Sequence, residues 1–339
     1  MSMETSVWLN TMTLIGDTET RGHAWHYRSA DQGEESNHYP GAIPLDDVTR
    51  RLMDWEPIEA PLYVGFGDER VLIPDRKAIV ANDDPLNVFG IFKEGYLIHS
   101  YAEWLLTNVS NLLDDTVHIS SAGLLTNRSK AWVEISLSDV HTVADFPFRP
   151  HLLAYTSVDG TLATTYKRAI QAVVCDNTLF AAQQEKGQTL KLKHTKYSRL
   201  KLENARDALG LIIATADDFS ARVSELIDWK ITDLQWSKFL DQMIPTQDDN
   251  GKSLSKIAVT KADTKRERIQ TMWVSDSRCA PWKGTAFGAL QTFNTWQHHE
   301  RSVRGDTIRP ERNMLEAING KTAEADAEAL RVLAVVSGK

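Results

Sequence analysis

Cations interleaved with flat side chains are the pattern of greatest chemical content in this chain. Between Lys186 and Arg206 lie Lys191, Lys193, Lys196, Arg199 and Lys201, with few acids among them, and His194 and Tyr197 fall inside the run. Tyr166, Lys167 and Arg168 precede it, and Arg128 and Lys130 belong to a polar turn further upstream. Lysine and arginine neutralise phosphates, and each base stacked on a flat side chain contributes roughly 1–3 kcal/mol. Arg128, Lys130, Tyr166, Lys167, Arg168, Lys191, Lys193, His194, Lys196, Tyr197 and Arg199 are therefore the candidate contacts to a single nucleic-acid strand. A competing account leaves the charges on solvated helix faces, packs Tyr166 into a sheet and lets Tyr197 staple a helix.

Other chemistries are less well supplied. Asp17 and Glu19 are two carboxylates one residue apart, a spacing that on a strand can hold a catalytic metal. Leu14–Thr20 resembles the opening of DnaQ-type exonucleases, which also need two further aspartates. His141 precedes Asp145 by one residue too few for the last of them, and no middle motif is present. A metal-dependent nuclease is thus the third reading. Phosphate loops fail on spacing: Gly251-Lys252-Ser253 would need glycine where Thr246 stands, and Gly320-Lys321-Thr322 where Leu315 stands. No ATP and no other cofactor is expected. His298 and His299 are consecutive on a helix and point in different directions, so surface histidines are expected rather than a metal site. Cys175 and Cys279 are the only cysteines, and neither forms a Cys-x-x-Cys pair. A disulfide framework and a thiolate zinc site are excluded on that ground.

Composition sets the frame for these residues. The chain has 339 residues, 42% hydrophobic and 25% charged, enough for one large domain or two. Net charge is −8, so any grip on phosphate depends on local cationic stripes. A second stripe runs Lys252, Lys256, Lys261, Lys265, Arg266, Arg268, whereas acids gather at 31–35 and 324–328. No apolar run approaches the ~18 residues that span a bilayer. The N-terminus lacks a basic-then-apolar leader, and the expected place is the reducing cytoplasm of a bacterial host.

The elements follow from periodicity. Residues 1–50 are rich in loop formers. Short β-rich runs cover 62–64, 70–73, 77–80 and 87–91, and a helix covers 100–113, with Tyr101, Leu105, Val109 and Leu112 on one side. Val117–Leu125 and Ala131–Leu137 flank the turn 126–130, and alternation in the second strand predicts a half-buried sheet. His151–Thr156 and Leu162–Arg168 flank Asp159-Gly160. A helix then carries Ile170, Val173, Val174 and Phe180 on an apolar face. Cys175 is a buried structural thiol there, and Asn177 is a buried amide that pins the helix to backbone. Helices fill the remainder, over about 200–227, 232–243, 254–273, 285–300 and 323–336. The expected class is α+β: an antiparallel, strand-rich domain over 1–185 with a β-β-β-α-type core, and a mainly helical domain over 186–339.

Several of these stretches carry a resemblance. Val173-Val174-Cys175-Asp176-Asn177-Thr178-Leu179, Ser157-Val158-Asp159-Gly160-Thr161 and His194-Thr195 look like the signature of the phage/plasmid-like proteins, catalogued as domain of unknown function 932. Ala24-Trp25-His26, Leu52–Glu56, Pro74–Val80 and Gly95-Tyr96 stand in the matching order, so the resemblance covers roughly residues 23–300. Tyr27 stands where a glycine is usual, and Val158 where a histidine is usual. The family has no settled activity. The order of elements is also similar to the core of the single-strand annealing proteins RecT, Redβ and Erf, which need no ATP.

Together these imply a phage-type protein that binds single-stranded DNA and promotes annealing in recombination, as a homo-oligomer and beside a partner exonuclease. The alternative is a protein-interaction or host-defence-countering factor whose basic stripes face an acidic partner.

Overall fold

In a computed structural model of this chain, which describes residues 11–21, 34–111, 113, 115, 117–172, 178–179, 189–194, 207–248, 250–303 and 309–339, strands occupy the N-terminal half and helices the C-terminal half. The chain divides into two units. One comprises Met1–Val140, Arg149–Ala169 and Glu185–Thr215, the other His141–Phe148, Ile170–Gln184 and Ala216–Lys339. Strands β8 (Phe146–Ser157) and β9 (Thr164–Ala172) each contain residues of both.

The first unit is built on strands β1 (Thr13–Ile15), β5 (Val117–Leu125), β6 (Lys130–Leu137), β8 and β9, hydrogen-bonded in that order, with β11 (Thr189–Leu192) added against β9. The β1–β5, β5–β6, β6–β8 and β9–β11 pairings are antiparallel. Alternation sends Ala122, Leu124, Val133, Ile135, Leu152 and Ala154 into one apolar core. The opposite face is buried as well, although it carries Glu134, Ser136 and His151. The expectation of a half-buried sheet is corrected here, because a polar layer occupies the face predicted to meet solvent. Gly123 lies opposite Trp132, and a Cβ there would come within 2.0 Å of the indole. Only glycine leaves room for that ring.

The helix expected at 100–113 is a wider π turn, Ala102–Thr107, continued by α3 (Asn108–Ser110). Tyr101, Trp104, Leu105 and Val109 face the core as the periodicity requires. Before the main sheet come the helical turn α1 (Thr18–Arg21) and α2 (Leu45–Leu52). A separate antiparallel sheet contains β2 (Pro57–Phe66), β3 (Glu69–Ala81) and β4 (Val88–Lys93) in that order.

One expected element is overturned. Residues 168–172 continue β9, and β10 (Thr178–Leu179) pairs antiparallel with it, Thr178 opposite Gln171 and Leu179 opposite Ile170. The predicted helix therefore gives way to strand at both ends, and Cys175 and Asn177 lie outside the described residues. Ile170 is β-branched, and pairing with β10 keeps it in the sheet against a helical spacing of only three turns.

The second unit holds β7 (His141–Val143), which forms a hairpin with the start of β8 through Ala144 and Asp145, both at positive φ. Its helices are α4 (Asp207–Asp228) from Ala216 onward, α5 (Asp233–Met243), α6 (Lys256–Ser275), α7 (Ala286–Thr295), α8 (Arg309–Ile318) and α9 (Lys321–Ser337). Thr232 opens α5 with a capping box to Gln235, while Ser255 and Thr285 cap α6 and α7. These side-chain acceptors satisfy amides that an α-helix leaves without partners. The core they close is aromatic, with Phe146, Phe219, Trp236, Phe239, Trp273, Trp282, Phe287 and Phe293. Helix α8 has no counterpart among the helices that periodicity predicts.

Candidate functional site

Two pieces of the sequence signature, Ser157–Thr161 and His194, lie in the first unit, where the β5–β6 turn approaches the loop after β8. Thr126, Asn127 and Arg128 all adopt left-handed backbone, with φ of 51, 50 and 68°. Such conformations cost non-glycine residues energy and persist only when neighbours enforce them. Here the Tyr101 hydroxyl donates to the Arg128 carbonyl at 2.8 Å, and Asn127 Nδ2 donates to Asn87 Oδ1 at 2.9 Å. The Arg128 guanidinium lies 4.6 Å from the centre of the Trp55 ring and binds Asp83 at 2.8 Å.

Asp159 closes the junction. Lys130 Nζ donates to its Oδ2 at 2.5 Å and Ser129 Oγ at 3.0 Å, while the Thr161 amide donates to Oδ1 at 2.9 Å. Burial pushes the Asp159 carboxyl up, but the bonds from Lys130 and Thr161 outweigh it and hold the group at about 2. Gly160 follows at φ +72°, and a Cβ there would meet the Phe92 ring at 2.6 Å.

Phe92 begins a column of stacked rings. Its centre is 4.0 Å from Tyr96, which is 5.3 Å from His194; His194 is 3.9 Å from His99, and His99 is 3.6 Å from Trp104. A hydrogen-bonded chain runs beside the stack. The Tyr96 hydroxyl meets His194 Nδ1 at 2.9 Å, His194 Nε2 meets Thr156 Oγ1 at 3.4 Å, Thr156 meets Thr164 at 2.7 Å, and Thr164 meets His99 Nδ1 at 2.6 Å. Burial, with His194 beside it, pushes His99 down to about 3; burial pushes His194 down to about 4. Both imidazoles are neutral at pH 7, which suits rings stacked face to face.

The polar face of the sheet holds a second group of titratable residues. The Asp17 carboxylate binds Arg149 at 2.7 Å and His118 at 2.9 Å, and Arg149 also donates to Thr20 Oγ1 at 3.0 Å. Ser120 Oγ reaches Glu134 Oε1 at 3.1 Å and Ser136 Oγ at 2.6 Å, with His151 Nε2 3.9 Å from Glu134. Asp17 and Glu19 are not alternate positions of one strand. β1 ends at Ile15, Asp17 turns at φ 56°, and Glu19 lies in the helical turn that begins at Thr18. Among the described residues no three histidine, cysteine or acidic side chains stand close enough to hold a metal ion.

The predicted contacts separate into three groups. Arg128, Lys130, Tyr166 and His194 have partners within the chain. Arg128 and Lys130 are paired with Asp83 and Asp159. Tyr166 is buried, its hydroxyl donating to the Trp104 carbonyl and accepting from Asn108 Nδ2. His194 stacks with His99 at 3.9 Å and with Tyr96 at 5.3 Å, and its ring nitrogens meet Tyr96 and Thr156. A second group lies along the sheet edge. Backbone register sets Thr189 opposite Lys167 and Lys191 opposite Thr165, Arg168 follows on β9, and Lys193 is exposed just past β11. The third group, Lys196, Tyr197 and Arg199, lies outside the described residues.

In the second unit half of the basic stripe is engaged. Arg266 binds the Ile244 carbonyl and Asp241, Arg268 binds Glu300, and the Lys265 ammonium sits 4.1 Å above the Trp296 ring. Burial pushes that amine down to about 8. Lys252, Lys256 and Lys261 remain exposed. His298 is buried and bonded to the Asn294 carbonyl, so it is not the surface residue expected.

Sequence reasoning misses His99, Phe92 and Trp104, which have no motif of their own. It marks Asp159 as a turn residue and as part of the family signature, and the Asp-Gly-Thr run is the local sign that this carboxylate also accepts from its own loop.

A strand-rich unit of antiparallel sheet together with a helical unit defines an α+β protein. The chain belongs to the family described as Domain of unknown function (DUF932), whose model matches residues 88–319. That span contains Gly95-Tyr96, Ser157–Thr161, Val173–Leu179 and His194-Thr195; the earlier pieces at 24–26, 52–56 and 74–80 precede it. No curated protein and no solved structure matches the chain.

Proposed function

We propose that this protein binds single-stranded DNA along the β9–β11 edge and promotes annealing without ATP, in the manner expected of a phage or plasmid recombination protein. The carrying observation is the antiparallel register of β11 on β9, which lays Lys191 and Lys193 alongside the strand bearing Lys167 and Arg168. A row of cations on a sheet edge follows an extended phosphate backbone and leaves base edges open for a complementary strand. Lys196 and Arg199, next in the sequence, are read as further phosphate contacts and Tyr197 as the stacking residue. The column of rings behind it gives this edge a rigid, uncharged backing, since His99 and His194 add no charge at pH 7.

The test is the triple charge reversal Lys193→Glu, Lys196→Glu, Arg199→Glu, read by fluorescence anisotropy with a labelled oligo-dT over a salt series. Binding should weaken by more than about tenfold, and the log–log salt slope should fall by about 0.7 for each phosphate that is no longer neutralised. Undiminished affinity removes this surface from consideration.

A further inference from the structure

The π turn Trp296–Glu300 continues α7, and its backbone is held by the start of α8. Arg312 donates to the carbonyls of Gln297 at 2.9 Å and Arg301 at 3.0 Å, and Asn313 Nδ2 donates to that of His298 at 3.0 Å. A cation suits such a terminus, because its carbonyls carry partial negative charge. The donors of Arg312 are spent on this task, and only its charge is left to act on anything else.

Two more cations stand beside it. Arg301 pairs with Glu316 through Nη2, and its Nε and Nη1 find no acceptor among the described residues. The Lys265 ammonium, on α6, lies 4.1 Å from the centre of the Trp296 ring and 5.6 Å from that of Phe293. Ring faces attract its charge but leave its three N–H donors without an oxygen, and no described residue supplies one. Burial, with Arg301 beside it, lowers this amine to about 8. Burial lowers Arg312 to about 10, with Arg301 and Arg309 adding to the shift against the pull of Glu316. Lys265, Arg301 and Arg312 are all half-buried, and among the described residues one carboxylate, Glu316, stands close by to balance them. Arg268 and Glu300 cancel each other at 2.7 Å. Two positive charges are thus in excess in a chain whose net charge is −8, and their repulsion is stronger here than in open water.

We propose that Lys265 and Arg301, with Arg312 behind them, form a binding site for a phosphate dianion. Such a group matches the two excess charges, and its oxygens supply acceptors to the ammonium and to the open nitrogens of Arg301. A carboxylate brings one charge and two oxygens, and a phosphodiester brings one charge per link. Free phosphate and the terminal phosphate of a nucleotide strand share the required chemistry, and the test separates them. The site has no residue in common with the β9–β11 edge and does not depend on the polynucleotide reading.

Acetylation of the folded wild-type chain by N-hydroxysuccinimidyl acetate reads the site, with each lysine followed by mass spectrometry at constant ionic strength. Lys256, exposed at the far end of α6, is the internal control. A site with Kd below about 1 mM is roughly nine-tenths filled by about 10 mM inorganic phosphate, so labelling of Lys265 should slow by about tenfold while Lys256 is unchanged. That result identifies the free anion. Protection by a 5′-phosphorylated oligo-dT, without protection by inorganic phosphate or by the 5′-hydroxyl oligomer, identifies a strand end. Lys265→Gln, shown to be folded by circular dichroism, should weaken phosphate binding in calorimetry by more than about tenfold. The proposal is overturned if neither inorganic phosphate nor the 5′-phosphorylated oligomer protects Lys265, or if the 5′-hydroxyl oligomer protects it and inorganic phosphate does not. A folded Lys265→Gln chain that binds phosphate like the wild type overturns it equally. Oligomers that do not bind at all count against the polynucleotide reading and leave the inorganic-phosphate result standing.

Discussion

Two hairpins of the first unit have similar residues and opposite surroundings. β5–β6 and β2–β3 are both antiparallel, both rich in valine, leucine and isoleucine, and both carry a register shift. Nearly every residue of β5–β6 is buried, including Ser120, Glu134 and Ser136. Nearly every residue of the β2–β3 tip is exposed, including Tyr63, Phe66 and Leu72. Hydrophobicity alone therefore does not report the core of this unit. The distinguishing feature is polar satisfaction. Serines and a glutamate can be buried in this hairpin because Ser120, Ser136 and Glu134 bond one another, whereas the tip of β2–β3 has no protein surface above it to exclude water.

The strongest way to break this contrast is to overfill the buried hairpin. Gly123→Val places methyl groups where the Trp132 indole already lies, within 2.0 Å of the first added carbon. Neither the ring nor the strand can move without disturbing neighbours on both faces, so the loss should exceed about 3 kcal/mol. The check is urea unfolding followed by tryptophan fluorescence. A cooperative transition at the wild-type midpoint would show that the sheet is looser than its burial implies.

A second, smaller effect sharpens the contrast through charge. The β2–β3 hairpin contains no histidine, while the buried region holds His99 and His194 in the ring column. Their folded pKa values, about 3 and about 4, lie below the ordinary histidine value near 6.5. Below pH 6.5 the unfolded chain takes up protons that the folded chain refuses. Stability should accordingly fall as pH drops from 6.5 towards 4 and level off below about 3. Each histidine accounts for up to roughly 3 kcal/mol of that loss, less where water reaches His194. His298 in the second unit, pushed down to about 4 by burial, should act in the same direction. His99→Phe keeps a ring in the column and removes one titration. Urea midpoints from pH 4 to 7 should decline less steeply for this variant than for the wild type, and parallel curves would refute the assignment.

These two regions also show what the sequence can and cannot convey. The β5–β6 hairpin is legible to within a residue, because a polar turn at 126–129 separates two runs of period two. The capping residues Thr232 and Thr285 announce two helices for a similarly local reason. The strand at 168–172 is not legible, since apolar residues at 170, 173 and 174 satisfy a helix and a buried strand alike until pairing with β10 decides. The site is legible only as a set of motifs. Asp-Gly-Thr, Gly95-Tyr96 and His194 are separated by up to 99 residues, and nothing local states that their rings and carboxylate share one junction. The cations are visible, yet Lys130 and Arg128 read like surface charges until Asp159 and Asp83 come beside them. Ion pairing across distant segments leaves no periodicity to detect.

The smallest expected effect belongs to the exposed hairpin. Phe66→Ser removes the most exposed aromatic ring of the β2 tip, where no core surrounds the side chain. Its effect on the stability of the isolated chain should stay within about 0.5 kcal/mol, the usual range for surface substitutions. In β5–β6 the corresponding change, a serine replacing the ring of Trp132, would open a cavity and cost several times more, about 3–5 kcal/mol for a large aromatic. The measurement is urea unfolding. A large loss would mean that Phe66 packs against its own chain.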